Sequence, residues 1–349
     1  MEPSENRPAD TASRPCPSPD ERTPMRIYWN PEQDPAYNLA LEETMLRRLH
    51  GPALMLWRNG PSVIIGRNQN AMAEVDCEAV RALGIPVVRR MTGGGAVYHD
   101  TGNLNYSCFA DHNGDSFARF DIFAEPVISA LRSFGIQSEF TGRNDILVDG
   151  KKVSGTAKMF AGDRVLFHGT LLFRTDISTL TRVLTPDPDK VSFKGIRSVS
   201  ARVGNLGDLL PGLSPSEFTE RMLRALLELH GMSSPDPLPE DCMREARALA
   251  DSKYRTWAWN FGSSPAYDYR KKARFPGGSV TLELAVSRGR IDSARISGDF
   301  FGQRPASELE ALLKSVEFRP DAVRRALTGV RIDDFMLGVS MEDFLSLFV

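Results

Sequence analysis

The chain is poor in cysteine, in long apolar runs and in surplus charge of either sign. Only four cysteines occur in 349 residues, Cys16, Cys77, Cys108 and Cys242, far apart and with no C-x-x-C pair. That spacing argues against a disulfide framework and against a structural zinc site. No apolar run approaches the roughly 18 residues a membrane helix needs; the candidates are short, such as Ala53 to Trp57. The expectation is a water-soluble chain without membrane contact. With 43 basic against 45 acidic side chains the formal charge is −2, which excludes a strongly basic nucleic-acid binder and leaves local basic patches open. The N-terminus lacks the apolar h-region of a secretory signal, so the cytoplasm is the expected compartment.

Residues 1–24 contain six prolines and no Leu, Ile, Val, Phe, Trp or Tyr. Such a stretch cannot bury enough apolar surface to offset its ordering entropy, and it reads as a disordered tail, with Met25 an alternative start. From there the elements alternate. Asp34-Pro35 opens a helix with proline at its first position. Leu39, Glu42, Leu46 and Leu49 then share one face. Glu42 interrupts that stripe, either as an edge carboxylate reaching water or as a residue facing a site. Strand-like runs follow at Leu54 to Trp57, Ser62 to Arg67, Ile85 to Arg90, Ala96 to His99 and Leu104 to Phe109. A helix from about Phe120 stops at Gly135, Asp149-Gly150 is a two-residue hairpin turn, and Val165 to Phe173 is a strand. Ser214 with Glu217 forms a capping box for a helix closing at Gly231. Beyond Gly262 two strands flank Ser287-Arg288-Gly289, and helices finish the chain, including Ser307 to Val316 and one capped at Ser340. The division is a tail over 1–24, a larger α/β unit over 25–262 and a small α+β unit over 263–349.

Chemistry concentrates in two segments. In the first, Arg89 and Arg90 lead through Met91 and Thr92 into Gly93, Gly94 and Gly95, then Ala96, Val97, Tyr98, His99 and Asp100. Three glycines allow close backbone approach, exposed N–H groups there make an anion nest, and a guanidinium can fork onto phosphate or carboxylate. Three glycines are costly for a mere turn, which favours a ligand-cradling loop. Neither a P-loop nor a G-x-G-x-x-G pattern fits, and kinase signatures are absent. The second segment carries Asp145, Lys152-Val153-Ser154-Gly155-Thr156 and His168. Lys152 is either a solvated surface lysine or a point charge for phosphate or carboxylate. Asp145 would orient that lysine or hold a magnesium ion. His99 and His168 read more readily as satisfied structural histidines than as catalytic bases.

Taken together these strings resemble the lipoate–protein ligases of the bacterial two-domain type. The resemblance rests on Tyr37 to Glu43, Trp57-Arg58-Asn59, Ile65 to Asn70, Arg89 to Asp100, Gly142 to Asp145, Lys152 to Ala157, His168 to Leu172, Lys194 to Val203 and Trp259 to Gly262. The segment from Phe275 is similar to that family's accessory domain. The resemblance implies the fold shared by biotin ligases and class II synthetases, activation of lipoate by Mg-ATP to lipoyl-adenylate with release of pyrophosphate, and acylation of a lysine on a lipoyl domain. The implied partners are acyltransferase subunits of 2-oxoacid dehydrogenases and the glycine cleavage H protein, met by a monomer. The implied adenylate site is Arg90, the loop from Gly93 through Gly94, Gly95, Ala96 and Val97 to Tyr98, Asp145 and Lys152. Leu39, Glu42, Trp57, Arg90, Thr92, His99, Lys152 and His168 are implied at the lipoyl tunnel. Met91 and Thr92 stand where many members have Ser-Ser.

The related octanoyltransferases use a cysteine thioester, but Cys77 and Cys108 sit in helix- and strand-like contexts where an inert buried thiol is expected. A non-catalytic binder on the same fold is the third reading. Attack of a carboxylate on phosphorus brings two anions together, so positioning and charge neutralisation carry the chemistry.

Overall fold

The computed structural model describes residues 24–69, 71–111, 121–141, 144–184, 203–261, 269–287, 290–318 and 320–348. The expected tail before Pro24, the segment from Lys194 to Arg202 and the expected boundary at 262–268 lie outside the described residues. Thirteen strands are described: β1 (Arg26–Asn30), β2 (Ala53–Trp57), β3 (Ser62–Ile65), β4 (Val87–Arg89), β5 (Val97–His99), β6 (Asn103–Asp111), β7 (Glu139–Thr141), β8 (Asp145–Val148), β9 (Lys151–Ala161), β10 (Arg164–Leu172), β11 (Tyr269–Phe275), β12 (Gly278–Ser287) and β13 (Arg290–Gly298). The longer helices are α1 (Pro35–Arg48), α2 (Asp121–Ser133), α3 (Pro215–Leu229), α4 (Glu240–Leu249) and α5 (Ala306–Leu313).

A seven-stranded sheet runs β1-β2-β6-β10-β9-β8-β7, antiparallel except for the β1–β2 pair. Its central strands β2, β6 and β10 alternate without a break. Leu54, Leu56, Tyr106, Cys108 and Phe167 point to one face, where α2 and α3 bury them and Phe173 stacks on Phe218 at 4.2 Å. Met55, Trp57, Phe109 and Leu166 point to the other face, under α1 and α4. This two-residue period places polar Asn105, Ser107 and His168 on the α1 side as well.

The helix signals are realised as physics requires. Asp34 caps α1, its side chain accepting from Ala36 N at 3.1 Å. Ser214 and Glu217 complete the capping box of α3. Asp149 and Gly150 both have positive φ, as the β8–β9 hairpin demands. β3 ends at Ile65, short of the expected Arg67, because the chain turns there: Gly66 N–H donates to Gln69 Oε1 at 2.8 Å, and the carbonyls of Gly66, Arg67 and Gln69 fold back onto Arg89.

A small sheet, β4-β3-β5, stands beside the main one, with Val63, Ile65, Val87 and Tyr98 in its own core. The C-terminal part has a third sheet, β11-β12-β13, packed on α5 around Leu282, Leu284, Phe300, Phe335 and Phe344. It touches the glycine loop directly. Gly298 N–H donates to Asn68 O at 2.6 Å. A Cβ on Gly93 would lie 2.4 Å from Phe300 O, and one on Gly94 would lie 3.2 Å from the Phe301 ring. Two of the three glycines are therefore demanded by packing against this third sheet's margin. Among the described residues no helix is long and apolar enough to cross a membrane.

Candidate active site

Both arginines ahead of the glycines are held mainly by main-chain carbonyls. Arg89 donates to the carbonyls of Gly66, Arg67, Gln69, Trp259 and Asn260 at 2.7–3.1 Å, tying β4 to two loops. Arg90 donates to Ile64 O at 3.2 Å, Gly93 O at 2.7 Å, Gly95 O at 2.9 Å and Thr92 Oγ1 at 2.9 Å. Burial pushes both guanidinium pKa values down to about 10; both stay charged at neutral pH. Arg90 thus fixes the loop's carbonyls inward.

A pocket of about 120 Å³ lies beside this loop. Of the expected site residues, Leu39, Trp57, Arg90, Gly94, Gly95, Ala96, Val97, His99, Lys152 and His168 line it. Glu42, Thr92 and Asp145 stand one contact behind. The Tyr98 side chain turns away into the small sheet's core, and Gly93 faces Phe300. Ile64 and Asn105 line the pocket without any sequence signal that marked them. The motif residues Asn144, Gly155, Thr156 and Thr170 also line it.

Glu42 is neither an edge carboxylate nor in contact with water. It is 1% exposed. Its Oε1 accepts from Ser107 Oγ at 2.6 Å and from His168 Nδ1 at 2.8 Å. Trp57 Nε1–H donates to the same Ser107 hydroxyl at 2.8 Å. With Nδ1–H given to the carboxylate, His168 Nε2 accepts from the Thr92 hydroxyl at 2.8 Å, whose oxygen receives Arg90 Nε. One buried network therefore runs from the indole to the guanidinium.

Lys152 owes its aim to a register shift. Ile146 faces Ser154 but Leu147 faces Lys152, so Val153 is the extra residue of a β-bulge in β9. The bulge brings Lys152 to the same face as Gly155. A Cβ on Gly155 would meet Lys152 Cε and Nζ at 3.2 Å, so the missing side chain is the channel the lysine lies in. Asp145 holds the ammonium at 2.7 Å, and each of the two side chains is 36% exposed. The ammonium therefore marks the wet end of the pocket, while Trp57, Asn105 and His99 are buried at the other.

Asp145 is therefore the ion-pair partner of Lys152. Among the described residues no three His, Cys, Asp or Glu side chains gather to hold a metal. Cys108 points to the opposite face of the sheet, toward Phe123 O, and burial pushes its thiol up to about 12. Cys242 is buried under α1, its thiol pushed up to about 11. No described cysteine lines the pocket.

Residues 34–227 match the family model of the lipoyl protein ligase A/B catalytic domain, and residues 264–348 match that of the bacterial lipoate protein ligase C-terminus. Lipoate-protein ligase LplJ of Bacillus subtilis is 39% identical over 319 residues, covering 90% of this chain and 96% of its own. A bi-partite lipoate protein ligase from Thermoplasma acidophilum, solved in work on that ligase and its E2 lipoyl domain, superposes with a TM-score of 0.62 at 31% identity, covering 71% of this chain and 100% of the other. A crystal structure of lipoate-protein ligase A bound with ATP superposes with a TM-score of 0.59 at 30% identity, covering 69% of this chain and 99% of the other.

Proposed function

The chain belongs to the bacterial lipoate–protein ligase family and is an enzyme of the ligase class, and we propose that it joins lipoate to a protein lysine in two steps at this one pocket. In the first, the lipoate carboxylate attacks the α-phosphorus of ATP, a C–O–P linkage forms, and pyrophosphate leaves. In the second, a neutral lysine amine attacks the acyl carbonyl, the amide forms, and AMP departs with the electrons of the broken C–O bond. The observation that carries this reading is the Lys152 ammonium, held by Asp145 and laid over Gly155 at the open end of a buried pocket. There it offsets the two approaching anions and then steadies the carbonyl oxygen. Neither step needs a protein nucleophile, in keeping with the raised Cys108 thiol.

Arg90 acts indirectly as well as by its charge, since it gathers the carbonyls of Gly93 and Gly95 and thereby frees the loop's N–H groups for phosphate. The open space over Gly95, whose Cβ would have its nearest neighbour 4.0 Å away, suits a nucleotide lying along Gly95 to Val97. Mg²⁺ bound with ATP would need only one or two protein carboxylates beside the phosphates; Asp145 is our candidate to offer one, and the ion would supply charge neutralisation there. The acceptors we assign are lipoyl domains of 2-oxoacid dehydrogenase acyltransferase subunits and the glycine cleavage H protein, modified in the cytoplasm by a monomer. Its catalytic unit is residues 25–262 and its accessory unit 263–349. Incubation with lipoate, Mg-ATP and a purified lipoyl domain tests the function: pyrophosphate release and a lipoyl mass increment on one lysine support it, and an increment formed without ATP refutes it.

A further inference from the structure

The buried end of the pocket holds a polar device that adenylation and transfer do not use. Glu32 N–H donates to Asn30 Oδ1 at 3.2 Å, which orients that amide. Asn30 Nδ2 donates to Asn38 Oδ1 at 2.8 Å, Asn38 Nδ2 to Asn59 Oδ1 at 2.9 Å, and Asn59 Nδ2 meets His99 Nδ1 at 3.0 Å. All three asparagines are fully buried. The series has one direction, because each carbonyl oxygen already holds a donor. The last amide nitrogen can only donate, so His99 Nδ1 accepts and the neutral ring carries its proton on Nε2. Burial, with Arg90 and His168 nearby, pushes the ring's pKa down to about 3, so it remains neutral.

His99 lines the pocket, and its buried Nε2 has no hydrogen-bond partner among the described residues. Asn105 lines it too. Its Oδ1 accepts from Asn103 Nδ2 at 2.8 Å, and its own Nδ2 also has no hydrogen-bond partner among the described residues. Two buried donors in a pocket walled by Leu39, Trp57 and Ile64 are unfavourable unless a ligand atom accepts from them.

Their position matches the tail of an acyl chain. Thr170, Asn105 and Trp57 stand in register on β10, β6 and β2, and Gly155 N–H reaches Thr170 Oγ1 at 3.2 Å. Lys152 lies over Gly155, so its ammonium is two strand spacings, about 10 Å, from Asn105. His99 packs edge-on to Trp57, with centroids 6.4 Å apart. A carboxylate at Lys152 thus places the far end of a medium-length acyl chain against these donors.

We propose that His99 Nε2–H, its tautomer set by the Asn30–Asn38–Asn59 series and assisted by Asn105, selects acyl chains ending in a soft acceptor, the disulfide sulfurs of a dithiolane ring, over hydrocarbon tails of the same shape. The proposal rests on the lipoate-ligase reading above and names what that site discriminates. The apolar walls hold a dithiolane and a carbon ring equally well. A carbon ring, however, leaves both donors stranded, and a site built to donate rejects a substrate that cannot accept. Sulfur is a weak acceptor, so the preference is about tenfold, near the low end for a stranded donor.

The test compares lipoate with cyclopentylpentanoate, its carbon-ring analogue, as kcat/KM for pyrophosphate release. The full-length protein should favour lipoate about tenfold. His99→Phe should bring the ratio near one. His99→Gln keeps an N–H donor and should retain most of it. Asn59→Asp changes no residue lining the pocket but draws the His99 proton to Nδ1, and it should also lose the preference. A ratio near one in the parent, or a parent-like ratio in both His99→Phe and Asn59→Asp, overturns the proposal; if either variant fails to fold, the other gives the same reading. Release with neither acid in the parent would instead bring down the ligase reading, a result distinct from release with both at equal rates.

Discussion

Replacing Glu42 with leucine should destabilise the protein far more than its place on a helix suggests. The side chain is 1% exposed and accepts two hydrogen bonds, from Ser107 at 2.6 Å and His168 at 2.8 Å. Leucine offers neither acceptor and strands the His168 Nδ1–H and the Ser107 hydroxyl, each at about 1–3 kcal/mol. The Arg90 guanidinium also loses a buried opposite charge, so the total should reach about 3–5 kcal/mol. At roughly 2–4 °C per kcal/mol for a unit of this size, the melting temperature should drop by about 10 °C. Glu42→Gln retains one acceptor and should cost about half as much. The sharper assay is a double-mutant cycle by urea unfolding. His168→Leu alone strands the carboxylate, whereas Glu42→Leu with His168→Leu removes both partners, so the pair should cost about 1–3 kcal/mol less than the two singles together. Additivity within about 0.5 kcal/mol would refute the network.

Gly155→Ala should leave the melting temperature nearly unchanged, within about 0.5 kcal/mol, because the new methyl meets only the flexible end of Lys152 at 3.2 Å; single-turnover adenylation should still fall about tenfold as the ammonium is displaced. Stability should fall as pH drops from about 6.5 toward 3, since the unfolded chain binds a proton on His99 that the folded site refuses. That group contributes up to about 1.4 kcal/mol per pH unit, and urea unfolding of His99→Phe at pH 7 and pH 5 should show the smaller slope. Cys108→Ser should retain most lipoate transfer, because a thiol raised to about 12 is not a nucleophile at neutral pH; loss of turnover in a folded variant would restore a thioester route.

Local signals in the sequence carried much of the fold. Asp34-Pro35, the Ser214–Glu217 box and Asp149-Gly150 act within a few residues, so their chemistry is visible without the rest of the chain. β1, at the sheet's margin, and β11, charged along Tyr269–Phe275, carry weak patterns and exist through pairing, β1 with β2 across α1 and β11 with β12 across a short turn. At the site, Lys152 and the glycine loop stood out, but their settings did not. The Val153 bulge that aims Lys152 is a property of two strands together. That Arg89 and Arg90 hold carbonyls, and that Gly93 and Gly94 lie beneath Phe300 and Phe301, depends on contacts tens to hundreds of residues apart. Glu42 was legible as an interruption of an apolar stripe, yet its partners Ser107 and His168 arrive from β6 and β10. Asn105 carried no mark, and Asn38 and Asn59 stood out only as members of the resembling strings, because a buried amide is informative only once its neighbours are known.

The central claim is that one ammonium, Lys152, serves both half-reactions, and the most direct measurement is a pair of single-turnover rates on Lys152→Ala. One follows pyrophosphate release from lipoate and Mg-ATP; the other follows amide formation on a lipoyl domain from pre-made lipoyl-adenylate. Loss of one preorganised charge should slow each step by about 10²–10³, and Lys152→Arg should recover only part, because a planar fork does not fit the channel over Gly155. A folded Lys152→Ala protein with the parent's rate in either half-reaction would contradict the account.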